Sequence, residues 1–277
     1  MRLLTAPFDP SARAPSALAR PLLEVALVAA GGIALSLAAD TLAGEWRGLG
    51  RAAASGGGHA GMIAAGWVIA LGGAPRWRIP AAASAATLIM ASVAARLAPA
   101  GAILYFLVPL VLARQARRAR LDTRWIGWTR PQSSRQVAVG VAAGGFLGLH
   151  LLIAASLTLG YTASVPSIGA YLAGMAYDVG ANALSVEWLF HGALFSALWR
   201  RWTFWPAAAV ATGAGLLRYL VDPTLPTAPE AAVGAVFYLT LLGLGSCALR
   251  AWSGSLVPGY LATLAFFAAY RTLQLQG

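Results

Sequence analysis

The chain has 277 residues, of which 59% are hydrophobic and only 10% charged. A soluble domain carries about 25% charged residues, so this chain has too little charge to cover a water-facing surface, and the lipid bilayer is its expected solvent. The formal net charge is +11, every basic residue is arginine, and the arginines fall mostly at the ends of apolar segments; this pattern argues against a nucleic-acid interface and fits cytoplasmic loops facing anionic headgroups.

Taken in order, the chain reads as about nine spans of an all-α, polytopic transmembrane helical bundle. Met1 to Arg20 is interrupted by Pro7, Pro10 and Pro15 and does not read as a signal peptide, so the apolar run after it is expected to stay as a span. The first span is Pro21 to Gly44, followed by a Gly-rich loop from Glu45 to His59. The second is Ala60 to Ala74, ended by Arg76, Trp77 and Arg78; the third is Pro80 to Leu97. Pro99, Ala100 and Gly101 make a turn into the fourth, Ala102 to Ala113. Residues 1–113 thus form an N-terminal set of transmembrane segments.

Residues 114–136 hold seven arginines against one acid, Asp122, and read as a basic cytoplasmic linker with Trp125 and Trp128 at the headgroup level. Residues 137–277 form the second half. The fifth span is Val137 to Gly160, in which Gly140, Gly144, Gly145 and Gly148 predict close helix packing. Tyr161 to Ile168 is a loop with Pro166. The sixth span is the run Gly169 to Trp199, with Asp178 to Asn182 as the place where it can break. The seventh is Phe204 to Val221, ended by the loop through Asp222, Pro223 and Pro226 to Pro229. The eighth is Ala231 to Leu249, and Gly254 and Ser255 turn the chain into the ninth, Leu256 to Tyr270. With the N-terminus in the cytoplasm, fifteen of the twenty arginines fall inside, an asymmetry that supports nine spans with the C-terminus outside; a multi-pass protein of the cell inner (plasma) membrane is expected. Cys247, the sole cysteine, excludes an intramolecular disulfide and reads as a small core residue.

Ionisable groups inside spans are costly and usually face the bundle interior. The candidates are Asp178, Glu187, His191 and Arg218, with His150 on the fifth span. Glu187 and His191 lie four residues apart in SVEWLFHGALFSALWRRW, one helical turn from each other. A carboxylate as base with an imidazole beside it can activate water. A lone Glu-x-x-x-His more often holds helices together, because structural networks also bury acids. The chain has three histidines, two of them on separate spans, whereas a zinc site needs about three ligands. No metal site and no cofactor is expected.

The order of four segments resembles the CAAX-protease and bacteriocin-processing family of intramembrane glutamic endopeptidases. Val186 to Arg201 (VEWLFHGALFSALWRR) looks like the family's Glu-Glu-x-x-Phe-Arg-Gly motif with its apolar and basic sequel. Ile126 to Pro131 (IGWTRP) looks like the Leu-Gly-Leu-Arg-x-Pro lead-in. Ala214 to Arg218 (AGLLR) stands where the family has Phe-Gly-x-x-His. Gly254 to Gly259 (GSLVPG), followed by Tyr-Leu-Ala-Thr263, stands where it has Gly-Ser-Leu-Trp-Pro-x-Ile-Leu-x-His. The resemblance covers about Ile126 to Phe267 and puts a family-like core in the second half.

Residue by residue, the resemblance implies a membrane-embedded peptidase cavity with most of its chemistry substituted. The water-activating Glu falls on Val186, the second Glu on Glu187, the Arg on His191, the second-motif His on Arg218 and the third-motif His on Thr263. The amide or acid that follows falls on Phe266 or Phe267. Because Arg218 replaces an imidazole with a permanent cation, Glu187 and Arg218 are expected to approach as an ion pair or to share a hydrogen-bond network with His191. The implied function is a pseudopeptidase that binds a membrane peptide or partner protein. The alternative is an active endopeptidase using Glu187 and His191.

Overall fold

The computed structural model describes residues 19–41, 44–121, 123–165, 167–220 and 229–275. The expectations for residues 1–18, Pro166 and the loop from Val221 to Ala228 fall outside them. In chain order the helices are α1 (Ala19–Asp40), α2 (Gly44–Ala70), α3 (Arg78–Leu97), α4 (Leu107–Arg118), α5 (Thr123–Ile126), α6 (Ser134–Thr158), α7 (Ile168–Tyr177), α8 (Ala183–Val186), α9 (Phe195–Trp199), α10 (Phe204–Leu220), α11 (Pro229–Ser253) and α12 (Val257–Tyr270). A 3₁₀ stretch, Pro99–Phe106, leads into α4. Two π-helical stretches, Asp178–Asn182 and Glu187–Leu194, join α7 to α8 and α8 to α9. Two three-residue strands, β1 (Tyr161–Ala163) and β2 (Leu273–Leu275), are the only β-structure among the described residues. The fold is all-α.

These elements form two compact units. The first takes residues 19–121 with Ile168–Leu189; the second takes Thr123–Ser167 with residues 190–275. Among the described residues, four segments are long and apolar enough to cross a membrane: Pro75–Leu97, Pro99–Arg118, Ser134–Thr158 and Ala232–Ser253. They match the third, fourth, fifth and eighth expected spans, and Val257–Tyr270 is apolar but shorter. Large apolar side chains lie outside on both units, Ile79 on the first and Phe146 and Leu157 on the second, which suits a surface that meets acyl chains rather than water.

In the first unit, the expected Gly-rich loop Glu45 to His59 is helical, as the N-terminal half of the 27-residue α2. Glycine inside a helix costs about 1 kcal/mol against alanine, but here it lets two backbones approach. A Cβ on Gly56 would meet Ser92 and the Leu88 carbonyl of α3, and one on Gly48 would meet the Arg96 guanidinium. The helix ends at Ala70, before the expected Ala74, because Gly72 and Gly73 take left-handed backbone. The amide of Gly73 donates to the Val68 carbonyl (2.9 Å) and that of Gly72 to the Ile69 carbonyl (3.2 Å), a Schellman ending. The fourth span is longer than expected: 3₁₀ stretch and α4 together run twenty residues, Pro99–Arg118. Arg78 at the start of α3 grips Glu24 of α1 with Nη2 at 2.9 and 3.1 Å from the two carboxylate oxygens.

In the second unit, α6 and α12 lie parallel. Gly140, Gly144 and Gly148 follow one another up α6 against Pro258, Ala262 and Ala269, with no room for a Cβ at any of them. Gly145, grouped with them in the sequence, points elsewhere and has open space around it. The parallel pair brings both helix ends together, and there β1 pairs antiparallel with β2, Tyr161 opposite Leu275 and Ala163 opposite Leu273. This hairpin-like closure replaces part of the loop expected at Tyr161 to Ile168. On the other side, Phe195 and Phe204 pack with Ala207, Ala208, Ala211, Cys247 and Ala251, so Cys247 is the small core residue expected.

Gly144→Ala should destabilise the purified protein by roughly 1–3 kcal/mol through overpacking against α12, whereas Gly145→Ala should stay within about 1 kcal/mol of wild type or gain slightly. Unfolding in micelles measures both, and equal effects would refute the parallel α6–α12 contact.

Candidate functional site

The run from Ile168 to Trp199 stays helical throughout; where a break was foreseen at Asp178 to Asn182, it widens into a π turn instead. π turns insert a residue into the helical ladder and recur at functional sites. Nearly every residue from Ala176 to Ala193 is buried. Val186 and His191 are buried and Glu187 is 0% exposed. The division between the units falls between Leu189 and Phe190, so Glu187 belongs to the first unit and His191 to the second.

In the first unit, the residues around Glu187 face α2. The indole Nε1 of Trp188 donates to the Ile63 carbonyl at 3.1 Å, and its ring lies 5.0 Å from that of Trp67. Gly66 leaves room for the indole; a Cβ there would collide with it. One and two turns earlier sits a buried polar array centred on His59. Its Nδ1 lies 2.9 Å from the Ser185 hydroxyl and its Nε2 lies 2.6 Å from the Tyr177 hydroxyl. Ser185 also reaches the Asn182 carbonyl (3.2 Å), and the Asn182 amide donates to Asp178 Oδ1 (3.0 Å). The Tyr177 ring packs edge-on against Tyr105, whose hydroxyl donates to Ser92 at 3.0 Å.

One set of directions satisfies all of these groups. Ser185 donates to the Asn182 carbonyl and can accept from His59 Nδ1–H while His59 Nε2 accepts from the Tyr177 hydroxyl, an arrangement that a neutral imidazole with its proton on Nδ1 fits. A Ser–His contact of 2.9 Å is the distance of an activated nucleophile, but Ser185 is fully buried and the array is closed around it. Its role in this structure is to hold α2 to the π-turned helix.

The sequence reading passed over His59 because it stood at the edge of a supposed loop. The signal was present in the spacing: His59, Ile63, Gly66 and Trp67 fall at i, i+4, i+7 and i+8, one face of a helix, and all four are buried.

In the second unit, Arg218 on α10 lies half-buried with its guanidinium 4.5 Å over the Tyr219 ring. The Tyr219 ring is 6.2 Å from that of Phe267 on α12. Phe266 and Phe267 pack with Tyr238, Leu242 and Ala262, and Thr263 is buried on the same helix. The positions carried over from the third motif are therefore packed among aromatic and aliphatic side chains. Phe190 rests against Gly215. His150 on α6 bonds the Tyr238 hydroxyl at 2.6 Å, with its ring otherwise outward.

Two more of the quoted segments meet at the base of this unit. The strap Ile126 to Pro131 lies along the turn at Gly254 to Leu256. The Leu256 amide donates to the Gly127 carbonyl (2.7 Å), the Ser255 hydroxyl to the Thr129 carbonyl (2.6 Å), and the Thr129 hydroxyl to the Gly254 carbonyl (3.2 Å). Arg250, 2% exposed, lies beneath the strap and donates through Nη2 to the carbonyls of Arg124 (3.1 Å) and Trp125 (3.2 Å). Gly127 has φ +78, and the Arg250 guanidinium fills the space where a Cβ would stand, so both conformation and contact require glycine. Among the described residues, no group of three His, Cys, Asp or Glu side chains could hold a metal ion.

The chain was compared with protein-family models, with curated proteins and with solved structures, and none matches.

His59→Ala should lower stability by on the order of 3 kcal/mol, because it removes the bonds to both Tyr177 and Ser185, while Tyr177→Phe, which deletes only one of those two hydroxyls, should cost about 1 kcal/mol. Unfolding of the purified variants in micelles gives both numbers; equal losses would show that His59 does not bridge two partners.

Proposed function

We propose that the protein is a divergent relative of the CAAX-protease-like intramembrane endopeptidases, with about nine spans, that binds a membrane peptide or protein partner without cleaving it. The observation that carries this reading is the docking of Ile126–Pro131 onto Gly254–Leu256. Two segments singled out for their likeness to family motifs, more than a hundred residues apart in the sequence, are hydrogen-bonded neighbours. The burial of Phe266 and Phe267 among aromatic side chains supports the loss of hydrolysis. A water-activating centre needs polar groups that hold a water, and the phenyl rings of Phe266 and Phe267 supply no lone pairs to do so.

The rival is an active endopeptidase with Glu187 as base and His191 as helper. It draws on the complete burial of Glu187 and the near-complete burial of His191 within one π-helical stretch. A host that expresses tagged membrane substrates with either wild type or Glu187→Gln separates the two. No cleavage by either, with substrate co-purifying, is the expected result. Cleavage by wild type that Glu187→Gln abolishes would overturn the pseudopeptidase reading.

The membrane reading extends to orientation: an inner (plasma) membrane protein with a cytoplasmic N-terminus and an outside C-terminus. The Glu24–Arg78 ion pair supports it, because it joins the start of α1 to the start of α3, both assigned to the cytoplasmic face. A C-terminal alkaline phosphatase fusion should be active and a C-terminal green fluorescent protein fusion dark. The reverse result would remove one span from the count.

A further inference from the structure

The second unit gathers arginine and tryptophan at one end. α9 closes on Trp199 and is followed by Arg200, Arg201 and Trp202; α10 then opens on Phe204 and Trp205. The Arg200 guanidinium lies 4.8 Å over the Trp125 ring, and Arg250 holds the carbonyls of Arg124 and Trp125 from below. The Thr129–Ser255 and Thr129–Gly254 bonds bring Arg130 to the same edge. The three segments that meet here, Thr123–Ser134, Arg200–Trp205 and Arg250–Ser253, hold five arginines and no Asp or Glu.

The outward parts of this edge have two chemistries side by side. Arg124, Arg130 and Arg201 are exposed. Trp202 is 47% and Trp205 67% exposed, and from Trp205 the outer face of α10 continues as apolar surface through Val210 and Leu217. Cations that run directly into tryptophan and then into aliphatic surface match the order of a bilayer leaflet: phosphate, interface, acyl chain. A guanidinium is the side chain best suited to a phosphodiester, which it grips with two parallel N–H bonds. A nucleic acid would need the cationic surface to continue along its backbone, and here it stops at Trp205.

We infer that this edge is a docking surface for the headgroup phosphate of anionic phospholipids, with Arg130 and Arg201 as its outermost cations and Trp202 and Trp205 at the acyl boundary. The surface rests on the reading of the chain as membrane-embedded, which alkaline extraction of membranes tests separately: release of the protein would refute embedding itself.

The test uses the full-length protein purified in neutral micelles, with thermal unfolding followed after adding phosphatidylglycerol, phosphatidylcholine or inorganic phosphate. Phosphatidylglycerol should raise the midpoint by several degrees, and the other two should not. The shift should disappear in about 0.5 M salt, where charges are screened within a few ångströms. The double variant Arg130→Gln with Arg201→Gln should lose at least half of it, and the corresponding double lysine variant should keep most. Because both side chains are exposed, the variants should fold; the salt dependence of wild type decides the matter if they do not. An equal response to phosphatidylcholine, a shift reproduced by inorganic phosphate, insensitivity to salt, or an undiminished shift in the double glutamine variant would overturn the lipid surface.

Discussion

His59 bonds two side chains on one helix, Tyr177 and Ser185, that stand eight residues apart. In a regular α-helix eight residues turn through about 800°, which overshoots two full turns by about 80°. The two hydroxyls would then point in different directions. The π turn from Asp178 to Asn182 lies between them, and its wider winding takes fewer degrees per residue. That slack brings Tyr177 and Ser185 back onto one face, where a single imidazole reaches both. In an apolar solvent this matters more than it would in water, because a buried hydroxyl without a partner has nothing else to bond. The wide turn is thus the backbone's answer to a side-chain constraint: with His59 fixed on α2, the helix that faces it has to slow its rotation.

The second unit meets the same constraint with a cation. Arg250 is buried near the end of α11, and its guanidinium donates to the carbonyls of Arg124 and Trp125. Backbone carbonyls suit this position because they draw the strap down over the guanidinium without themselves carrying a formal charge into a low-dielectric setting. The left-handed backbone of Gly127 follows from it: the chain has to turn sharply past the guanidinium, and the guanidinium leaves no room for a side chain. The strap in turn fixes where α12 starts, through the Leu256 amide. From there the small residues of α12 and the glycines of α6 set the spacing of the parallel pair.

Much of this was legible in the sequence. Apolar runs and arginine clusters located most of the helices, and the spacing of Gly140, Gly144 and Gly148 foretold a close helix contact. The misses have physical causes. Glu45 to His59 looked like a loop because glycine is a poor helix former in water, yet in a lipid-facing bundle glycine serves close approach, and the absence of proline over residues 44–70 was the better guide. Gly145 was grouped with its neighbours because spacing alone does not say which small residue faces a partner. The β1–β2 pair was invisible because three-residue strands carry no periodicity. His59 is hard to read for a related reason: a polar residue in a supposed loop needs no buried partner. The identities at Glu187 and Arg218 were plain, but what surrounds them depends on packing that residue types do not encode.

The surroundings of the α12 residues bear most on the proposed function. A peptidase that splits an amide inside a membrane has to hold a water against its base and stabilise a developing oxyanion, which takes hydrogen-bond donors and a solvated pocket. On α12, Thr263 offers one hydroxyl, and the positions after it offer phenyl rings packed against Tyr238 and Leu242. Rings are better suited to gripping a hydrophobic segment by its side chains than to attacking its backbone, since they add apolar area and fixed shape without lone pairs. The strap over the buried arginine and the glycine face of α6 against α12 do not depend on Phe266 or Phe267, because none of the strap's described hydrogen bonds passes through those positions.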